Sequence, residues 1–256
     1  MALRAVIIGG GIVGCLTAIR LIENGYDVTM VDRSVIGEES SAAGAGIIFP
    51  LMPWNYKSRV YELCLDALSF YKNFSKKLVK YGFEDPEFIE SGMICIEPED
   101  KREILQWAKK NNFRINEYLF HNRPAYELLK VAQINPKKLM ISIKQYLLEL
   151  GVNLIENVRM SKIENKSNYL KEWPTESNGF IKGDLFVTTL GAWSSEINDD
   201  LRNRIYPIRG QVIIYPKSEI KLDKILYKDD FYLLQRKCGS ILAGSTVENV
   251  GFDKTT

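Results

Sequence analysis

Histidine is almost absent. His121 is the only one in 256 residues, so a Ser/His/Asp or Cys/His catalytic triad has a single candidate member. It stands beside Asn122, Arg123 and Pro124, a turn-like setting that predicts an exposed loop rather than a catalytic base. Cysteine is also sparse. Cys15, Cys64, Cys95 and Cys238 lie far apart, with neither a CxxC pair nor the Cys/His spacing of a zinc site. They are expected to be free thiols, which suits the reducing cytoplasm. The carboxylates Glu84, Asp85, Glu87 and Glu90 lack the fixed spacing of a calcium loop, so no metal is expected.

Charge of one sign is lacking too. The 34 basic and 32 acidic residues give a net charge of +2 with no basic block, which offers nothing to nucleic acid or to a membrane surface. No apolar run approaches the ~18 residues of a spanning helix. The apolar stretch from Arg4 to Ile19 superficially resembles a signal peptide, but Gly9, Gly10 and Gly11 interrupt the helix that such a peptide needs. Without an export signal, the sequons at Asn73 and Asn165 read as chance matches. Neither an internal repeat nor a low-complexity segment is present.

What the chain does have is core-forming material, 46% hydrophobic residues, arranged in a telling order. Ala5 to Ile8 is a short, wholly apolar run of the kind found in a parallel strand buried on both faces. Helical spacing follows from Gly11 to Asn24, with Gly25 at the expected C-cap. Val28 to Val31 is a second strand, ending at Asp32 and Arg33. Strand, glycine turn, helix and strand make one βαβ unit. Beyond it, the pattern predicts one long amphipathic helix over Ser58 to Tyr81 and a strand over Phe88 to Glu97. A helix around Trp107, a helix from Asn135 to Leu150 and a strand over Val152 to Ile155 follow. Ser161 to Gly183 reads as a hairpin or excursion, and Leu185 to Leu190 as another strand buried on both faces. From Tyr206 onward, strong alternation predicts antiparallel strands. The fold class is therefore α/β: a Rossmann-like dinucleotide-binding domain with a parallel sheet, interleaved with an α+β domain on an antiparallel sheet. The expected division is 1–82 with 130–198 for the first, and 83–129 with 199–256 for the second.

Gly9, Gly11 and Gly14 form a GxGxxG fingerprint in the context it requires, after a strand and opening a helix. Gly9 permits the tight turn, Gly11 lets a pyrophosphate approach the backbone, and Gly14 allows helix and strand to pack closely. The N–H groups and the positive dipole end of the helix, from Ile12 and Val13, then face the phosphates. Asp32 ends the second strand, where a carboxylate accepts hydrogen bonds from a ribose diol and disfavours a 2′-phosphate. The fingerprint alone does not choose between NAD and FAD. The loop that follows does help, because it is not another βαβ repeat but SSAAGAG. Small residues such as Ala45 and Gly46 let the main chain approach a flat ring, and Ser40 and Ser41 offer hydroxyls to phosphate or ribitol oxygens. A plain interdomain crossover is the competing reading of this loop.

AVIIGGGIVG, VTMVDR, ESSAAGAGIIFPLMPW, TLGAWSSEI, YPIRGQVIIY and FYLLQRKCGSILAGSTVENVGFDK occur in this order. Through them, nearly the whole chain resembles the D-amino-acid oxidase and glycine oxidase family of FAD-dependent oxidoreductases, above all its bacterial glycine-oxidase-like members. The resemblance implies that Gly9, Gly11, Ile12, Val13 and Gly14 surround the FAD pyrophosphate and that Asp32 and Arg33 lie near the adenosine. Ser40, Ser41, Ala45, Gly46 and Ile47 would line the ribitol and flavin ring, and Val158 would meet the adenine through its main chain. Tyr232 matches a substrate-pocket tyrosine, though an ordinary sheet aromatic reads the same, and Val247 stands where a methionine lines that pocket. The implied reaction is oxidative deamination of a small amino acid or amine (glycine, sarcosine or a D-amino acid) by hydride transfer to flavin N5.

The family pattern continues past GFDK with a segment that returns to the flavin domain and supplies an arginine for the substrate carboxylate. The 256 residues do not contain it, so a fragment or truncated product is expected. A non-catalytic dinucleotide-binding module is the alternative reading. Arg209 is weighed as a flavin neighbour or a strand-end salt bridge, and Trp54 and Trp193 as flavin shields or core aromatics. Homo-oligomerisation is left open.

Overall fold

The computed structural model describes residues 2–50, 52–55, 57–162, 170–197, 199–201, 204–217 and 219–255. The chain opens with strand β1 (Arg4–Ile8), helix α1 (Ile12–Glu23) and strand β2 (Asp27–Val31). A short helix α2 (Ser40–Ala43) and strand β3 (Ile47–Ile48) follow, then α3 (Ser58–Cys64) and α4 (Ala67–Lys80). Next come β4 (Met93–Ile96), α5 (Lys101–Lys110), β5 (Ile115–Phe120), β6 (Arg123–Leu128) and β7 (Ala132–Gln133). Helix α6 (Pro136–Glu149) leads into β8 (Asn153–Ile155), the hairpin β9 (Glu172–Pro174) and β10 (Phe180–Lys182), and β11 (Leu185–Thr188). Helix α7 (Ser194–Ile197) precedes the last strands: β12 (Val212–Lys217), β13 (Ile225–Lys228), β14 (Phe231–Gln235) and β15 (Ser240–Gly244).

Two principal sheets result. The first is wholly parallel, in the order β11-β1-β2-β8. From Ala5 to Ile8 the sequence of β1 is wholly apolar because both of its faces are covered there. Ala5 and Ile7 face a core shared with α1, α4 and α6, whereas Val6 and Ile8 face Trp173 and Phe186 on the other side. Helix α6 begins where the Asn135-Pro136 pair predicts, with the Asn135 carboxamide accepting the Lys138 N–H at 3.3 Å.

The second sheet has the order β12-β15-β14-β13-β4-β6-β5. It is antiparallel apart from β13 and β4, which run parallel, so the expected antiparallel sheet is in fact mixed. The reason is topological. After β6 the chain departs to build α6 and much of the first sheet, and a connection of that length brings β13 back in either direction. Strand β13 is also absent from the pattern-based reading.

Three further expectations are corrected. The helix expected over Ser58 to Tyr81 breaks at Leu65 and Asp66, because its halves pack on different partners. Tyr61 lies 4.9 Å from Trp107, while Phe74 packs against Tyr146 on α6, and Leu65 between them is 57% exposed. The strand expected from Phe88 shrinks to Met93–Ile96, since Glu87 and Gly92 adopt positive φ and bend the chain before it. Strand β11 lies at the edge of its sheet with Leu185 and Thr188 exposed, so it is not buried on both faces. Of the two sequons, Asn165 lies outside the described residues. Among the described residues, no helix is long and apolar enough to cross a membrane.

Candidate cofactor and substrate site

At the carboxyl end of β1 the glycine turn is built as the spacing requires. Gly9 has φ +109°, and a Cβ there would lie 2.5 Å from the Thr189 carbonyl oxygen. A Cβ on Gly14 would meet the Gly9 carbonyl at 2.0 Å, so this glycine is what lets α1 pack on the turn. Gly11 differs from both. Its φ of −71° suits any residue, and its Cβ would meet only the Ser41 hydroxyl, at 3.1 Å. The space over Gly11 is therefore kept free for something other than the fold itself.

Gly9, Gly11, Ile12, Val13, Asp32, Ser40 and Ser41 line one groove of about 230 Å³, whose far wall is Thr188 to Ser194. A second, smaller recess shares Gly9, Asp32, Leu190 and Trp193 with it and extends along Arg33, Val158 and Arg159. Asp32 sits at the junction. Its carboxylate accepts the Gly10 N–H at 2.6 Å, the Ser34 N–H at 2.8 Å and the Ser34 hydroxyl at 3.0 Å. These donors hold it in place and leave acceptor capacity for a diol. The Ser41 hydroxyl accepts the Ile12 N–H at 2.9 Å, which leaves its own proton free for a phosphate oxygen. The N–H groups of Val13 and Gly14, in the first turn of α1, have no intrahelical acceptor. The glycine cradle, the helix N-terminus and the fixed carboxylate together fit the ADP half of FAD.

The remaining residues singled out from the sequence sit around this groove as follows. The Val158 N–H donates to the Asp32 carbonyl at 2.9 Å, so its carbonyl is the main-chain group left for an adenine. The Arg33 guanidinium stacks 3.7 Å over Trp193, with Glu39 3.6 Å away. Trp193 also stacks on Phe252, and Lys254 pairs with Glu39, so the rim of the groove is an interlocked set of aromatic and charged groups. Ala45 and Ile47 lie outside the lining of this groove and pack against the buried cluster of the second sheet, which contains Tyr232. Gly46 has φ +71°, and a Cβ there would lie 2.1 Å from the Ile134 carbonyl.

Tyr232 is 6% exposed and faces Gly244 across the β14–β15 pair. A Cβ on Gly244 would stand 2.9 Å from the tyrosine hydroxyl, so this glycine makes room for it. The hydroxyl has no partner among the described residues. Val247, by contrast, is 78% exposed. Arg209 takes the salt-bridge option. It pairs with Glu248 and Asp253 and donates to the Thr255 carbonyl, and those carboxylates raise its pKa further. Trp54 packs 6.0 Å from Trp107, with its buried indole N–H unpartnered among the described residues. The carboxylates of the 84–90 stretch are ion-paired: Glu84 and Glu87 with Lys138, Asp85 with Lys237 and Glu90 with Lys72. Among the described residues, no group of three or more His, Cys, Asp or Glu could hold a metal.

Two contributors escaped the sequence reading. Thr189 donates its hydroxyl to the Gly9 carbonyl at 2.7 Å and so fixes the turn from the neighbouring strand. Its only signal was its place just before Gly191, at the end of an apolar run. The other is Arg236, which is half-buried and donates to the main-chain carbonyls of Ala45 and Ile134. Alternation along Tyr232, Leu234 and Arg236 could have flagged a cation on an otherwise buried face.

Comparison with known proteins agrees with this geometry. Residues 4–256 match the model of the family described as DAO, FAD dependent oxidoreductase. The whole chain aligns with the glycine oxidase of Pseudomonas aeruginosa at 31% identity, covering 74% of that protein. It also aligns with the glycine oxidase of Pseudomonas putida at 29%, again over 74% of its length. Among solved structures, glycine oxidase from Bacillus cereus superposes with a TM-score of 0.87 at 22% identity, over 99% of this chain and 74% of that one, a likeness of fold. The chain belongs to the FAD dependent oxidoreductase (DAO) family, as a glycine-oxidase-like flavoenzyme whose cofactor is FAD.

Proposed function

We propose that this flavoenzyme oxidises the amine of a small amino acid such as glycine, sarcosine or a D-amino acid. In this reading residues 1–82 and 130–198 hold the cofactor, and residues 83–129 and 199–256 form the substrate side. The observation that carries it is the course of one short loop. At Ser41 the loop touches the N-terminus of α1, and by Ala45 and Ile47 it packs against the cluster that holds Tyr232. A single loop thus joins a dinucleotide cradle to an unpartnered tyrosine.

Each residue then has a role. Gly9 and Gly14 shape the turn, Gly11 keeps a side chain away from the pyrophosphate, the Val13 N–H faces its charge, and Ile12, whose N–H is held by Ser41, lines it. Asp32 accepts from the ribose, Arg33 and the Val158 main chain flank the adenine, and Ser40 and Ser41 serve phosphate or ribitol oxygens. Ala45, Gly46 and Ile47 line the ring. Tyr232 offers its hydroxyl to the substrate and positions it. FAD, when bound, would supply the two-electron acceptor for the α-hydrogen; the amine would lose its proton to solvent, and the imino acid formed would be hydrolysed by water. No acid–base pair is needed for that step when a neutral amine is aligned and desolvated, which suits a site built of backbone, hydroxyls and apolar groups. The four unpaired cysteines support a reducing, cytoplasmic setting.

The test is purification followed by a substrate screen. A yellow protein that turns over one of these amines supports the reading. A colourless protein that binds ADP but not FAD supports a non-catalytic nucleotide-binding module instead.

A further inference from the structure

Arg236 ties the cofactor loop to the strand that carries Tyr232. It follows β14 directly, and its backbone is fixed in the β14–β15 turn, with its N–H donating to the Ser240 carbonyl at 2.9 Å. Its guanidinium reaches across to the other part of the molecule. Nη2 donates to the Ala45 carbonyl at 2.7 Å, and Nη1 donates to the Ile134 carbonyl at 2.8 Å and to the Gln133 side chain at 3.3 Å. The Ile134 N–H in turn donates to the Gly46 carbonyl at 2.9 Å, and β3 pairs with β7 just beyond. Among the described residues, no carboxylate pairs with this cation. Burial lowers its pKa, with the Glu87 charge opposing that effect.

A half-buried guanidinium satisfied only by neutral acceptors is costly compared with an apolar side chain. Its planar fork, however, can serve carbonyls on two segments at once, which neither an apolar group nor the point charge of a lysine can do. Successive residues of a strand alternate faces, so Tyr232 and Leu234 share one face of β14, and Arg236, one residue past its end, continues that alternation. The residue that holds the Ala45 carbonyl therefore stands on the same face as the tyrosine.

We propose that Arg236 is a positioning residue, which clamps the ring-lining stretch Ala45–Ile47 to the strand carrying Tyr232 and so sets the register between flavin ring and substrate. The proposal rests on the reading that Ala45, Gly46 and Ile47 line the ring. It separates the two ends of the cofactor. The adenosine and pyrophosphate contacts at Gly9 to Gly14 and Asp32 do not involve Arg236, whereas the ring end depends on it.

The experiment compares FAD and ADP affinity, by titration of apoprotein, in wild type, Arg236→Met and Arg236→Lys, with hydrogen exchange of each apoprotein alongside. For Arg236→Met, FAD affinity should fall by roughly tenfold or more, the scale of a lost charge-assisted hydrogen bond pair. ADP affinity should stay within about twofold of wild type. Amides of residues 46–48 and of Ile134 should exchange faster, with those of β1 and α1 unchanged. Arg236→Lys should fall between the two, since it keeps the charge and loses the fork. If Arg236→Met fails to fold, the lysine variant decides. An unchanged FAD-to-ADP affinity ratio with unchanged exchange at 46–48 overturns the proposal and leaves the proposed function standing. Wild type that binds ADP and not FAD overturns both.

Discussion

Replacing Gly11 with valine should remove the cofactor while sparing the fold. The backbone at Gly11 has φ −71° and ψ 178°, a conformation open to valine, and the added Cβ would meet only the Ser41 hydroxyl, at 3.1 Å. Apoprotein stability should therefore change by no more than about 1 kcal/mol. The new side chain would, however, fill the space left for the pyrophosphate, and its Cβ is fixed by the backbone. For wild type, FAD at about a hundred times its dissociation constant contributes roughly 2.7 kcal/mol. In a chain of this size that corresponds to a rise in melting temperature of about 5–10 °C. Gly11→Val should show almost none of that rise. Gly14→Ala provides the contrast, because its Cβ would lie 2.0 Å from the Gly9 carbonyl. That variant should lose apoprotein stability as well as flavin. Thermal melts with and without FAD read both quantities. A Gly11→Val protein that melts like wild type and keeps the full FAD-induced shift would refute the placement of the pyrophosphate.

Other outcomes follow from the same geometry. Tyr232→Phe should retain FAD and lose turnover through a raised KM for the amine substrate, by roughly tenfold for one lost hydrogen bond; steady-state kinetics on flavin-replete protein check this. Gly244→Ala would put a Cβ 2.6 Å from Val212 Cγ1 and 2.9 Å from the Tyr232 hydroxyl, an overpacking that should cost about 1–3 kcal/mol in denaturant unfolding. Thiol chemistry should sort by burial. Burial raises Cys15 and Cys95 from 9.0 to about 12, with the Asp32 charge adding to the effect at Cys15. Cys238 is exposed, and its pKa is lowered by its hydrogen bond with Ser240. Brief alkylation at mildly alkaline pH, read by peptide mass spectrometry, should label Cys238 and spare Cys15 and Cys95. Because the folded values of the two buried thiols lie above the unfolded ones, their stabilising contribution is complete below pH 9.0 and is lost as pH rises through about 12.

The parts legible in the sequence were those set by local chemistry. The βαβ unit was visible because a buried parallel strand is uniformly apolar and a phosphate turn demands glycine, and α6 because Asn-Pro is a start signal. What stayed hidden depends on tertiary partners. The break at Leu65 reflects two different packing surfaces rather than a breaker residue. Strand β11 has the composition of a central strand but lies at an edge. The hydrogen bond from the Ile12 N–H to Ser41, the Thr189 contact with Gly9 and the reach of Arg236 to Ala45 all join residues far apart in sequence, and no spacing rule encodes such pairs. The groove gathers Gly9, Gly11, Ile12, Val13, Asp32, Ser40 and Ser41, whereas Ala45, Ile47 and Tyr232 belong to the neighbouring cluster. The two groups meet through the loop and not in a single recess.

Anaerobic mixing of the flavin-loaded protein with glycine, sarcosine and a panel of D-amino acids, followed through the visible flavin absorbance, tests the central claim most directly. The account predicts that at least one of these amines bleaches the flavin band and that the band returns when an electron acceptor is admitted. A protein that holds FAD yet keeps its band unchanged with every one of them would contradict it.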